Sequence, residues 1–209
     1  MNEKIKNQYD SLYTAEKDVF GGGRPESAVQ KLSDYLPEGT VLDVGGGEGR
    51  NALYLAEQGY TVSVYDISKV GLDRLDTTAK ERGVHIDTHV VDITNENIDE
   101  IFDSIIITFV LHHMDTEDAT KLIAHAQEHT SDDGVHIIST FSNQGGLYER
   151  NKTTGRFYPS EEELRALYAH WDIKELSVKE TTTHARNKNG ERMRNNMVTL
   201  IAVHTKGDD

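Results

Sequence analysis

Two periods alternate along this chain, one helical and one strand-like, and together they divide it into elements. A polar, amphipathic segment covers about residues 3–18 and is broken by Gly21, Gly22 and Gly23. Pro25 suits the first turn of a helix, and Ala28, Val29, Leu32 and Leu36 recur behind it at helical spacing. After the turn at Pro37–Gly39, "TVLDV" is a short buried strand. "NALYLAEQG" predicts a helix closed by Gly59, and "YTVSVYD" a second strand. "SKVGLDRLDTTAKERG" predicts a helix capped by Ser68 and stopped by Gly83. "VHIDTHVVD" alternates as a strand, and "FDSIIITFVLHH" holds a nearly continuous apolar one. "DTEDATKLIAHAQEHTSDDG" is an acid-started helix, and "VHIISTFS" is a fifth strand. This βαβ alternation implies a mostly parallel sheet with helices on both faces.

Beyond Ser142 the pattern changes. Ser160 and Glu163 in "SEEELRALYAHW" have the spacing of a capping box at a helix start. "DIKELSVKE" and "NMVTLIAVHTK" follow as two strands joined by a basic loop, which implies an antiparallel hairpin at the sheet edge. No linker, repeat or low-complexity tract interrupts the sequence, so residues 1–209 are expected to form one domain.

Composition narrows the function classes. A mean hydropathy of −0.60 describes a polar globule. No apolar run approaches the roughly 20 residues that span a bilayer. The N-terminus lacks the basic-then-apolar order of a signal peptide, and the chain has 0 cysteines, which excludes disulfides, thiolate metal sites and a cysteine nucleophile. A cytoplasmic address is the resulting expectation. The net charge of −14 disfavours nucleic acid and anionic membranes, which demand clustered Lys and Arg, and favours a small-molecule substrate. Basic residues cluster only in "HARNKNGERMR", residues 184–194, a solvated hairpin tip or a small-anion site.

The chemistry centres on "LDVGGGEGRNALYLAEQGY". A glycine turn after a first strand lets backbone approach a ligand, and the next helix presents free N–H groups. The dinucleotide fingerprint G-x-G-x-x-G would need glycine at position 50, where Arg50 stands. Glycine falls at Gly49 instead, giving D-x-G-x-G-x-G from Asp43, Gly45, Gly47 and Gly49.

That arrangement resembles motif I of the class I S-adenosylmethionine (SAM)-dependent methyltransferases. Asp66, at the end of the second strand, resembles the family acid that binds both ribose hydroxyls, and Asp92 in "HVVDIT" the acid that contacts the adenine amino group. Taken singly, each is as good a helix cap as a ligand. The resemblance implies SAM as cofactor, S-adenosylhomocysteine (SAH) as product, and a cofactor site that also takes in Asn51, Ile67, Ile93 and Thr108. By analogy to many lids, Arg24 after the glycine triplet either pairs with the SAM carboxylate or stands on the surface, and in a lid formed by residues 1–24 Tyr9 and Tyr13 either cover the cofactor or make core contacts. It further implies a three-layer αβα Rossmann-like sandwich with a seven-stranded, mostly parallel sheet ordered 3-2-1-4-5-7-6 and strand 7 antiparallel.

The likeness extends to one family. The run "GRNALYLAEQGYTV", the helix "ELRALYAHW" and the loop "THARNKNGERMR" are similar to segments of the tellurite-resistance (TehB-like) methyltransferases. That family's late loop contributes a histidine and arginines to catalysis, which by position are His184 and Arg192 here. Where the family places an arginine after the histidine, this chain has Ala185; Arg186, one step on, falls on the other face of a strand. The resemblance implies methylation of a small soft or anionic nucleophile such as tellurite or selenite, with a thiol, carboxylate or other small metabolite as the alternative acceptor. Arginine's planar fork suits an oxyanion, and histidine can orient an acceptor or take its proton. An NAD-dependent oxidoreductase and a non-catalytic SAM-binding protein are the competing classes.

His112 and His113, after the fourth strand, are candidates for contact with cofactor or substrate, or for covering the site. His125 and His129 are four apart on a helix but read as a solvated face, and His85 and His89 have no paired ligands, so no catalytic metal is expected.

Overall fold

The computed structural model describes residues 3–15, 23–186 and 188–205, and the side chains of all of these except His184 and Ala185. Helix α1 is Glu3–Ala15, followed by a short 3-10 helix at Val29–Asp34. Strand β1 (Thr40–Val44), α2 (Arg50–Glu57), β2 (Thr61–Asp66), α3 (Lys69–Arg82), β3 (Asp87–Val90) and β4 (Phe102–Thr108) come next. A 3-10 turn at Leu111–His113 leads to α4 (Thr116–Glu128), β5 (Thr130–Gly145), α5 (Gly146–Asn151) and α6 (Glu161–Leu167), and the hairpin strands β6 (Trp171–Arg186) and β7 (Arg192–His204) complete the fold.

The seven strands are ordered β3-β2-β1-β4-β5-β7-β6. β1 through β5 pair in parallel, whereas β7 runs antiparallel to both β5 and β6. Alternate residues of the central strands face opposite layers. Leu42, Ile105 and Ile107 meet α4 and α6 through Leu122, Ile123 and Leu164. Val41, Ile106, Val62 and Val64 meet α2 and α3 through Leu53, Leu55, Leu72 and Leu75. This is the expected three-layer sandwich.

The local signals hold where side chains do the work. Ser68 accepts the Gly71 amide at 3.1 Å, and Gly83 ends α3 at φ +70. Ser160 and Glu163 exchange their two capping bonds at 2.7 and 3.1 Å.

Three expectations differ from the structure. The helix that Pro25 should open is a 3-10 helix beginning at Val29, because the Glu26 amide is bound by Asn51 Oδ1 and the Glu26 carbonyl is taken by Val29 and Gln30. The short α5 carries no signal that stands out in the sequence. The basic loop is mostly strand: Thr181, Thr182 and Arg186 pair with Asn195, Arg194 and Arg192. Of the expected lid, residues 1–2 and 16–22 lie outside the described residues.

Candidate active site

A cleft of about 840 Å³, counting its open mouth, lies across the carboxyl ends of β1, β2 and β4, beneath α1. Such crevices beyond the strand ends are where open α/β sheets bind ligands. Its lining includes Gly45, Gly46, Glu48, Arg50 and Asn51 from the glycine turn, Asp66 and Ile67 after β2, and Asp92 and Ile93 after β3. Thr108, Phe109 and His113 close the far side, and Tyr9 and Tyr13 cover it from α1.

Gly47 and Gly49 shape the turn from behind. At φ +56, a Cβ on Gly47 would stand 2.1 Å from the Tyr13 hydroxyl. At φ +83, one on Gly49 would stand 2.2 Å from a methyl of the fully buried Leu75. Both positions therefore need glycine on two grounds, dihedral and space. With the turn so formed, the Gly47 amide donates to Asp66 Oδ2 at 2.9 Å and the Ser68 amide to Oδ1 at 2.7 Å. These bonds orient the Asp66 carboxylate, and each oxygen keeps a lone pair for a ligand hydroxyl. Burial pushes its pKa up, while the two amide bonds oppose the rise.

Asp43 is fully buried under the turn, and neither carboxylate oxygen has a hydrogen-bond partner. Burial pushes its pKa up to about 7; Arg50 opposes this and Asp66 adds to it, and the Ala52 amide also opposes without reaching hydrogen-bond geometry. Asp92 lines the cleft, and in place of a following helix it caps its own turn, accepting from the Thr94 hydroxyl at 2.7 Å and Asn95 Nδ2 at 3.0 Å. Asn51 is buried and donates to Thr108 Oγ1 at 3.0 Å, tying α2 to the end of β4.

Among the arginines, Arg24 is exposed and is not part of the cleft lining. The cation that lines it is Arg50, the residue whose presence broke the dinucleotide pattern. Arg50 pairs with Glu26 at 3.0 Å and lies 5.5 Å from the centre of the Phe109 ring. The sequence marks Arg50 only as a misfit to the dinucleotide pattern; its place at the first position of α2, directly after the glycine turn, was the available signal. Phe109 itself adopts φ +57, a conformation rare for a bulky residue, and such outliers gather at functional sites. It turns the chain from β4 into the 3-10 turn that carries both histidines.

Helix α1, expected as part of a lid, is fastened across the cleft. Tyr9 shares a hydrogen bond of 2.7 Å with His113 Nε2, and Asp10 accepts from the Ser68 hydroxyl at 2.6 Å. Burial, with the Asp66 charge adding, raises the Tyr9 pKa to about 12. His113 is held to about 4 by burial and then by the Arg156 charge, so it is neutral at pH 7. His112 lies behind it, buried, with Nδ1 unpartnered.

The hairpin residues occupy another place. Arg192 is exposed at the start of β7 opposite Arg186, outside the cleft lining. Its neighbour Met193 packs with Phe109, Phe141, Tyr148 and Tyr158 in an aromatic cluster beside the cleft. His184 lies on β6. His125, read as solvated, is half-buried and accepts the Ile98 amide at Nε2 (2.9 Å), bracing the loop before β4. The nitrogen a metal would need is thereby engaged on one side, although Glu128 and His129 stand nearby. His85 pairs with Asp87 at 3.1 Å on the surface, and the exposed His89 abuts Tyr65.

The strand order, the glycine turn and the acids after β2 and β3 define a class I SAM-dependent methyltransferase, and SAM is its cofactor. The profile of tellurite resistance protein TehB matches residues 10–201, and the chain belongs to the TehB family. A probable SAM-dependent methyltransferase TehB of Haemophilus influenzae strain Rd is 30% identical over 195 residues, covering 91% of this chain and 68% of the relative. Its counterpart in strain 10810 is 30% identical over 162 residues, covering 78% and 56%. The chain thus spans between about half and two thirds of these relatives. The crystal structure of TehB from Haemophilus influenzae superposes with a TM-score of 0.75 at 25% identity, covering 96% of this chain and 67% of that one. Among the described residues, no helix is long and apolar enough to cross a membrane.

Proposed function

We propose that this chain methylates a small soft or anionic nucleophile. The observation that carries the reading is the cleft, where a glycine turn, two strand-end acids and an arginine face one space. Bound there, SAM supplies an electrophilic methyl group on a sulfonium, displaced in line by the acceptor. The residues fit the cofactor. Asp66, with lone pairs left over from its two backbone bonds, would hold the ribose hydroxyls. Asp92 and Ile93 would hold the adenine, with Ile67 and the Asn51–Thr108 pair shaping the same wall. Gly45, Gly47 and Gly49 shape the turn, with the buried Asp43 beneath it. Arg50 would hold the amino-acid carboxylate, in place of Arg24.

Positioning and matched charge supply most of such a catalyst's effect, since a polarised sulfonium needs no strong base when the acceptor is already nucleophilic. Tyr9 and Tyr13 exclude water from above. In this proposal Arg192 guides the anionic acceptor from the cleft's rim and His184 orients it or takes its proton. The sequence adjacency of Arg192 to Met193, on the aromatic cluster, supports this. Family membership favours tellurite or selenite as acceptor. The aromatic cluster favours a second reading, an organic metabolite such as a thiol or carboxylate.

Titration with SAM, SAH and NAD, followed by methyl transfer from labelled SAM to tellurite, selenite, thiols and acids, tests the proposal. Binding of SAH and methylation of one acceptor are expected. Binding of NAD with no response to SAM or SAH would overturn it, and SAH binding with no transfer to any acceptor would leave a cofactor-binding protein without this activity.

A further inference from the structure

Three arginines of the described chain are half-buried: Arg50, Arg74 and Arg156. Two are neutralised by glutamates, Arg50 by Glu26 at 3.0 Å and Arg74 by Glu48 at 3.1 Å. Among the described residues no hydrogen bond or ion pair engages the Arg156 guanidinium, although the chain has 36 acids to 22 basic residues. A half-buried cation without a partner loses part of its hydration with no bond to offset the loss, which leaves its donors open to a ligand.

The backbone fixes where this cation stands. Arg156 forms an antiparallel bridge with Asp115, and the Phe157 amide donates to the Met114 carbonyl at 2.9 Å. Arg156 is thereby pinned beside the end of the 3-10 turn, next to His113, which lines the cofactor cleft. Its charge is felt by Tyr9, His112 and His113, and it helps to keep both imidazoles neutral, so no competing cation stands beside it. Against the same corner lies a run of rings. His112 and His113 are 4.0 Å apart between centroids, His112 and Phe141 4.9 Å, Phe109 and Phe141 5.1 Å, and Tyr148 and Tyr158 5.8 Å. Within it, His112 Nδ1 is buried and unpartnered.

We infer that Arg156 and these rings form the acceptor-recognition site, and that it selects an organic acid: a carboxylate on the guanidinium and a flat apolar body along Phe109 and His113, which line the cleft and are backed by the buried Phe141 and His112. A small hydrated oxyanion would use the cation and leave the rings unused, whereas ligand pockets typically pair much apolar lining with a few placed polar groups. A bidentate guanidinium–carboxylate contact gives the orientation that methyl transfer needs. The inference rests on the methyltransferase reading above and extends it to the acceptor.

Calorimetric titration of the SAH-loaded protein with 4-mercaptobenzoate, thiophenol and selenite tests it, with circular dichroism confirming the fold of each variant. Wild type should bind 4-mercaptobenzoate at least about 10-fold more tightly than either other probe. Arg156→Gln should weaken that probe about 10- to 100-fold, leave thiophenol and SAH affinity unchanged, and be partly rescued by Arg156→Lys. Equal affinity for 4-mercaptobenzoate and thiophenol, selenite binding as tight as either, no binding of any probe by wild type, or indifference to Arg156→Gln would each overturn the inference. Failure of wild type to bind SAH sinks the methyltransferase reading instead, and is measured separately. Should Arg156→Gln not fold, Arg156→Lys carries the test: binding of 4-mercaptobenzoate undiminished by the loss of the fork geometry overturns the bidentate contact.

Discussion

The glycine-turn half of the cleft and the proposed acceptor half are built on different principles. The first is assembled by short-range grammar: between Thr40 and Asp66, a strand, a glycine turn, a helix and a second strand place Asp43, Gly47, Gly49, Arg50 and Asp66 around one space. The second is assembled by long-range contacts. Arg156 is held by Asp115, Met193 by a cluster drawn from β4, β5, α5 and the loop before α6, and the α5 start by buried Asn195, whose Oδ1 takes the Leu147 amide at 2.7 Å. A motif can announce the first kind of site. The second kind becomes visible only when the sheet is folded.

Several measurements would break or sharpen that contrast. The largest effect belongs to Asp43. Its native pKa of about 7 lies above the unfolded value, so the native state holds the proton more tightly. The penalty for ionising it is absent below about pH 4, grows as pH rises towards 7, and is complete above that. Asp43→Asn removes the titration, so the stability of wild type relative to variant should fall by up to about 4 kcal/mol between pH 4 and pH 8, read from urea unfolding at each pH. A pH-independent difference would show that the turn shelters Asp43 less than its burial implies.

Next in size, Gly49→Ala forces a side chain into the left-handed region and against Leu75, and should cost about 2–3 kcal/mol of stability together with SAH affinity. Asp66→Asn turns one of the two accepting oxygens into an amide donor that faces a backbone N–H, so it should cost about 1–3 kcal/mol of stability and weaken SAH about 10- to 100-fold by calorimetry. In the acceptor half, Arg192→Ala and His184→Ala should lower methyl transfer by roughly 10-fold each without changing SAH affinity. If they weaken SAH instead, the two halves are not separable. Smallest of all, Ser160→Ala removes a cap remote from both sites and should cost about 1 kcal/mol with no effect on either ligand.

Legibility follows the same division. The order of the strands, the Ser68 and Ser160 caps, the Gly83 stop and the glycine turn each depend on residues within a few positions of one another, so the sequence displays them. Arg24 and Arg50 show the limit. Both are arginines beside glycines, yet one is exposed and the other lines the cleft, because α2 turns Arg50 towards the strand ends and Glu26 holds it there. His125 teaches the same point: helical spacing to His129 said nothing of the Ile98 amide, which approaches from 27 positions away. Much of the expected basic loop is strand because β7 pairs with β6 on both sides of a bulge between Thr182 and Arg186, a ladder that outweighs the polar composition there.

By itself, then, the sequence determined the layered fold and the place of the glycine turn, since periodicity, capping and glycine dihedrals are local properties of the chain. Only the tertiary structure decided which cation lines the cleft, which histidine lines it and which is buried behind it, and that Arg156 stands half-buried without a counter-charge among the described residues. Those outcomes depend on desolvation and on neighbours distant in sequence, and both are properties of the packed sheet.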